Sequence, residues 1–150
     1  MRVIVETWIN ASTLKCFDAA RDLDLHMRSL AHTNEVAVGG RTSGLIGMGE
    51  EVTWRGRHFG ITQNFTSRIT AFDPPSYFQD SMQRGAFRSF VHDHHFVEAN
   101  GGTRMTDDLE FAAPFGILGR IVDAIVLRRY LERLLVSRAA VIKDACEARA

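Results

Sequence analysis

The chain has 150 residues, enough for one domain that buries roughly 70% of the surface its unfolded form exposes and needs no disulfide or metal staple. Lysine plus arginine number 18 and aspartate plus glutamate 18, so the formal charge is zero and nothing favours nucleic acid or an anionic membrane surface. Hydrophobic residues at 45% with no unbroken apolar run of membrane-spanning length, and two isolated cysteines, Cys16 and Cys146, point to a cytoplasmic soluble protein with small packed thiols.

The opening "MRVIVETWIN" alternates in the manner of a strand and is too short in its apolar run for a signal peptide. In "NASTLKCFDAARDL", Ser12 or Thr13 can cap a helix whose Leu14, Phe17 and Ala20 recur at helical spacing. A second short helix is expected over 23–30. Seven glycines then fall within residues 31–60, where short strands are expected over 35–38 and 51–58. The stretch "GGRTSGLIGMG" between them lacks the strand–GxGxxG–helix context of a dinucleotide site and reads as a mobile loop at a cavity mouth.

Residues 60–72 form a long strand stopped by "DPP", and 77–83 form the next. After "RGAF", a strand over 88–99 meets "NGG", a strong hairpin signal, and returns over 103–112. Pro114 and Gly116 then precede a helix over 117–148, nearly 50 Å long at about 1.5 Å per residue. Its apolar stripe is read as Leu118, Ile121, Ile125, Leu131, Leu134, Val141 and Ala145. Arg120, Arg128, Arg129, Arg133 and Lys143 lie opposite, a solvated face or a site for a protein partner.

The order of elements predicts an α+β fold: a curved antiparallel sheet of about seven strands around a long C-terminal helix, with two short helices after the first strand. One domain covers 1–150.

The segment "FRSFVHDHHFVEANGGTRMTDDLEF", residues 87–111, carries the candidate chemistry. Side chains alternate along a strand, and the polar set Arg104, Thr106, Asp108 and Glu110 marks the wet face. Met105, Asp107, Leu109 and Phe111 therefore point inward. An even-numbered turn at Asn100–Gly101 pairs Phe96 with Met105, which sets His94 opposite Asp107 and His92 opposite Leu109. A His94–Asp107 hydrogen bond is expected. Pairing Met82 with Phe90 across "RGAF" sets Asp80 opposite His92, with Phe78 on the same inner face. Trp54 and His58 share a face with Val52 and are further candidates to line the cavity.

The segments 59–96 and 101–120, "FGITQNFTSRITAFDPPSYFQDSMQRGAFRSFVHDHHF" and "GGTRMTDDLEFAAPFGILGR", resemble the bacterial polyketide cyclase/dehydrase-like branch of the START/Bet v 1-like (SRPBCC) superfamily. Gly85-Ala86-Phe87 departs from the Gly-Pro-Phe/Tyr usual there. The resemblance implies a helix-grip fold around an apolar cavity, whose members include carriers of lipids and polyketides and some cyclases or dehydratases.

Three readings of the cluster follow. It fixes strand register and orients a hydrophobic ligand held by Trp54, Phe78, Met82, Phe90, His92, His94, Phe96, Met105, Leu109, Phe111, Ile121 and Ile125. Alternatively, His92 and His94 are the acid/base groups of a cyclase or dehydratase, with Asp80 and Asp107 orienting them. Two His and two Asp also have metal-ligand chemistry, but His–Asp hydrogen bonds explain the pattern more simply, so no metal and no cofactor is expected.

Overall fold

The computed structural model describes residues 1–112 and 124–148. Seven strands form one curved antiparallel sheet: β1 (Arg2–Ile9), β2 (Val36–Gly40), β3 (Glu51–His58), β4 (Ile61–Asp73), β5 (Tyr77–Arg84), β6 (Ser89–Ala99) and β7 (Gly102–Ala112). Their order is β1-β7-β6-β5-β4-β3-β2. Helices α1 (Thr13–Ala20) and α2 (Leu23–Ser29), with a 3-10 turn at Ala31–Thr33, fill the connection from β1 to β2. Helix α3 (Ala124–Glu147) returns across the sheet. The expected architecture is present.

Local chemistry explains the boundaries. Ser12 caps α1, its hydroxyl accepting from the Lys15 N–H at 3.2 Å. Asp22 caps α2 by accepting from Asp24 and Leu25 N–H groups. Asn100 and Gly101 both have positive φ, as a two-residue type I′ hairpin requires. Gly102 follows because the chain presses on β1 there: a Cβ would lie 2.4 Å from the Ile9 carbonyl oxygen. Ladder irregularities at Ala37/Gly39, Thr66/Ser67 and Ile69/Ala71 bend β2 and β4 and add to the curvature.

The core has two parts. Phe17 of α1 meets Phe72, Phe78 and Phe96 edge-on at centroid distances of 5.3, 5.4 and 5.5 Å. Val3, Leu109 and Phe111 pack with Leu127, Leu131 and Leu135 of α3. Both cysteines are buried in the first part. Among the described residues no helix is long and apolar enough to cross a membrane.

Two expectations need correction. The glycine-rich stretch is pinned rather than loose. Leu23 N–H donates to Gly44 O, Ile46 N–H to Arg21 O, Gly49 N–H to Ile69 O, and Ile46 is buried. The inward stripe of α3 is also rotated from the expected one: it runs Leu127, Leu131, Leu135, Arg138, Ala139, Ile142 and Cys146. Ile125 is 63% exposed and faces away from the cavity, because its spacing from Leu131 is six residues, well off the helical repeat. Leu118, Arg120 and Ile121 lie outside the described residues.

Candidate functional site

Strands β5, β6 and β7 carry the cluster in the expected register. Asp80 pairs with His92, His94 with Asp107, His92 with Leu109 and Phe96 with Met105. The β5–β6 ladder ends at Ser81–Val91, one step short of the expected Met82–Phe90 pair.

The hydrogen bonds do not follow the register; they cross it. His92 Nε2 bonds Asp107 Oδ1 at 2.9 Å, and His94 Nε2 bonds Asp80 Oδ2 at 2.6 Å. The expected His94–Asp107 hydrogen bond is replaced by a contact of 3.3 Å from Nδ1 to Oδ1, which leaves His94 Nδ1 without a hydrogen-bond partner among the described residues. The physical reason lies in ring stacking. The two imidazoles lie face to face, centroids 3.8 Å apart, and Phe78 stacks on His94 at 4.1 Å. A stacked imidazole directs its ring nitrogens sideways, to the diagonal neighbours that a curved sheet brings within reach.

A partner absent from the sequence reading completes the network. Arg138 of α3 is 6% exposed; its Nη1 donates to Asp107 Oδ1 at 3.2 Å and its Nη2 to the Ala20 carbonyl at 2.7 Å. Ser67 donates to Asp80 Oδ1 at 3.2 Å. A signal for Arg138 did exist: it sits seven residues after Leu131 and four before Ile142, on the inward repeat of the helix.

Electrostatics sort these groups. Burial pushes the Asp107 carboxyl up, but the contacts of His92 and His94 and the charge of Arg138 outweigh it and hold the carboxyl well below the usual range. Burial likewise opposes ionisation of Asp80, and the His94 hydrogen bond and charge win, bringing it to about 2. Burial, then the neighbouring His94, lower His92. His94 suffers the same burial, yet its contacts with Asp107 and Asp80 raise it. With His94 protonated, two carboxylates face one imidazolium and one guanidinium, and the network carries no net charge.

A second polar cluster was not foreseen. Glu35 accepts from His26 Nε2 and lies 3.3 Å from His58 Nε2 through its other oxygen. The Tyr130 hydroxyl is 2.5 Å from His58 Nδ1, and Trp54 packs on His26 at 4.2 Å. Burial works against the Glu35 anion, but hydrogen bonds from His26 and His58 bring its pKa down to about 2. Gly56 makes room: a Cβ there would stand 3.0 Å from Glu35 Oε2 and 3.1 Å from His58 Nε2. No local pattern announces this cluster, because its members come from separate stretches of the chain, from α2 to α3.

Between the clusters lies a cavity of about 210 Å³. Trp54, Phe78, Phe90, His92, His94 and Leu109 border it, as does Asp80. Phe96, Met105 and Phe111 were expected there and are instead consumed in the close-packed core, at 2%, 0% and 3% exposure. Met82 is half-buried beside Gly85 and does not border the cavity. Asp107 stands behind the wall. Of the arginines on the outer face of α3, Arg128, Arg129 and Arg133 line no part of the cavity, and Arg128 pairs with Glu132 at 3.7 Å.

Asp80, His92 and His94 bring three donor atoms within 4.8 Å of one another, a spacing a metal ion can use. A cation there would compete with the existing His–carboxylate bonds and meet the Arg138 charge.

The sequence profile of the family described as polyketide cyclase/dehydrase and lipid transport matches residues 10–135. The chain belongs to this family. Its fold is that of the SRPBCC, Bet v 1-like superfamily. Similar solved structures share that fold at low identity. The Thermus thermophilus protein TTHA0849 superposes with a TM-score of 0.74 at 18% identity, over 97% of this chain and 99% of that one. Ara h 8.0201 gives 0.70 at 14%, over 97% of each chain. Major latex-like protein 151 from Panax ginseng gives 0.67 at 17%, over 99% and 98%. No curated protein matches the chain. As a family member the chain has a ligand-binding fold.

Proposed function

We propose that this polyketide cyclase/dehydrase-family protein binds a small hydrophobic molecule between the curved sheet and α3. The observation that carries this reading is the cavity itself, walled by Trp54, Ile69, Phe78, Leu131 and Leu135, with polar groups converging from Asp80, His92, His94 and Arg138. Apolar walls with a few convergent polar groups are the usual make-up of a ligand pocket. At about 210 Å³ the space is smaller than the ~300–1,000 Å³ of pockets for drug-sized ligands, so the ligand is compact.

Titration with the neutral fluorophore prodan tests it. Saturable binding is expected, and Leu135→Trp, which fills the cavity, is expected to weaken it at least about tenfold while circular dichroism stays unchanged. Absence of saturable binding to the native protein would sink the reading.

One observation favours catalysis as the second reading. His92 and His94 stack at 3.8 Å and are driven to opposite sides of the ordinary imidazole value. Two neighbouring groups with pKa values pushed apart are what an acid/base pair needs. In a cyclase or dehydratase, His92 would be the base and His94 the acid, held by Asp107 and Asp80. His94→Gln is then expected to cut turnover of a polyketide-like substrate by about 10²–10⁴-fold with prodan binding retained. Unchanged turnover would exclude the role.

A further inference from the structure

We propose that the cavity selects ligands that donate hydrogen bonds, alcohols, phenols and amines, and disfavours carboxylates, because Asp80 and Glu35 stand as acceptors on its wall. The inference rests on the cavity being the binding site.

Consider the acceptors first. The Asp80 side chain keeps 20% of its surface open, and Asp80 borders the cavity. Oδ1 takes one hydrogen bond from Ser67 and Oδ2 one from His94. Each carboxylate oxygen has two lone pairs, so capacity remains toward a ligand. Glu35 also borders the cavity, and its two oxygens each meet one imidazole. Both carboxyls are ionised at neutral pH. Glu35 has no lysine or arginine among the ion pairs of the described residues, so its charge lacks a permanent counterpart there.

The cations tell the same story from the other side. Among the described residues that border the cavity, Arg21 and Arg138 alone carry a permanent positive charge. Both are already engaged. Arg138 is shared between Asp107 and the Ala20 carbonyl. Arg21 donates to Asp18 and to the Ile46 carbonyl, and its guanidinium lies over Phe17 and Phe72. An entering carboxylate would lose its water, find no free cation among these residues and face like charge. A hydroxyl or ammonium group meets a waiting acceptor instead.

A set of ligands that differ only in the head group isolates the effect. Octanol, octylamine and octanoate share one tail, so burial of the tail cancels. At neutral pH, octanol and octylamine are expected to displace prodan from the native protein at concentrations at least about tenfold below octanoate. Asp80→Asn with Glu35→Gln, checked for folding by circular dichroism, is expected to bring the three within about threefold. Octanoate displacing as well as or better than octanol would overturn the inference. So would a preference that survives in the folded double variant, or a failure of all three to displace bound prodan. Failure of prodan itself to bind would instead remove the binding reading beneath it.

Discussion

Replacing Asp107 by leucine is expected to destabilise the protein by about 3–5 kcal/mol, the usual cost of stripping one partner from a buried charge pair. Asp107 is 0% exposed, and its Oδ1 is shared by His92, Arg138 and the near contact with His94. Among the described residues, leucine leaves the Arg138 guanidinium inside the protein with only the Ala20 carbonyl. Against a total stability of about 5–15 kcal/mol, little margin would remain. The double variant Asp107→Leu, Arg138→Met removes both charges and is expected to recover most of the loss, because a buried pair swapped for packed apolar groups is often neutral. Urea unfolding of the two single variants and the double gives the coupling directly. A single-variant cost below about 1 kcal/mol, or costs that merely add, would show that the ion pair is not what holds α3 to the sheet here.

Stability is expected to fall steeply in acid. Asp80 and Glu35 are held at about 2, and Asp107 is also held well below the carboxylate range. A group depressed on folding contributes stability that is complete above its unfolded value, about 4 for these carboxyls, and is lost as the pH falls through its folded value. Three such groups give a limiting slope of about 4 kcal/mol per pH unit below about pH 4. The histidines act higher. His94, raised on folding, contributes stability that is present below about pH 6.5 and lost as the pH climbs through its folded value. His92 is lowered, so it costs stability as the pH drops below about 6.5. His94 therefore lowers stability above about pH 6.5 and His92 lowers it below, so the pair gives a stability maximum near that pH. Thermal unfolding followed across pH checks this, and Glu35→Gln is expected to make the acid limb shallower by about 1.4 kcal/mol per pH unit. An acid limb no steeper than that of a single carboxyl would contradict the network's part in folding.

The strand registers were readable because two local rules agree. Alternation on β7 put Asp107 and Leu109 inward, and the Asn100–Gly101 turn admits an even-numbered pairing. Together they placed His94 opposite Asp107, while Asp80 came opposite His92 from a separate pairing assumed across "RGAF". What alternation does not contain is ring orientation. Stacking of His92 on His94, and of His94 on Phe78, turned each imidazole toward the diagonal carboxylate. The same limit explains Phe96, Met105 and Phe111. Their inward face was legible, but whether an inward side chain borders open space or is packed over by α1 and α3 depends on what lies across from it.

By itself, the sequence determined the family, the seven strands, the two short helices of the β1–β2 connection and the inner face on which the His–Asp cluster stands. These features are set by neighbours in the chain or by one hairpin turn, and short-range sterics and alternation decide them. Only the tertiary structure decided that Arg138 neutralises Asp107, that Glu35 joins His26, His58 and Tyr130, and that a cavity remains between the two clusters. Those meetings join residues from elements far apart in sequence. They depend on how α3 is rotated as it packs across a curved sheet, a balance of many contacts that no local pattern encodes.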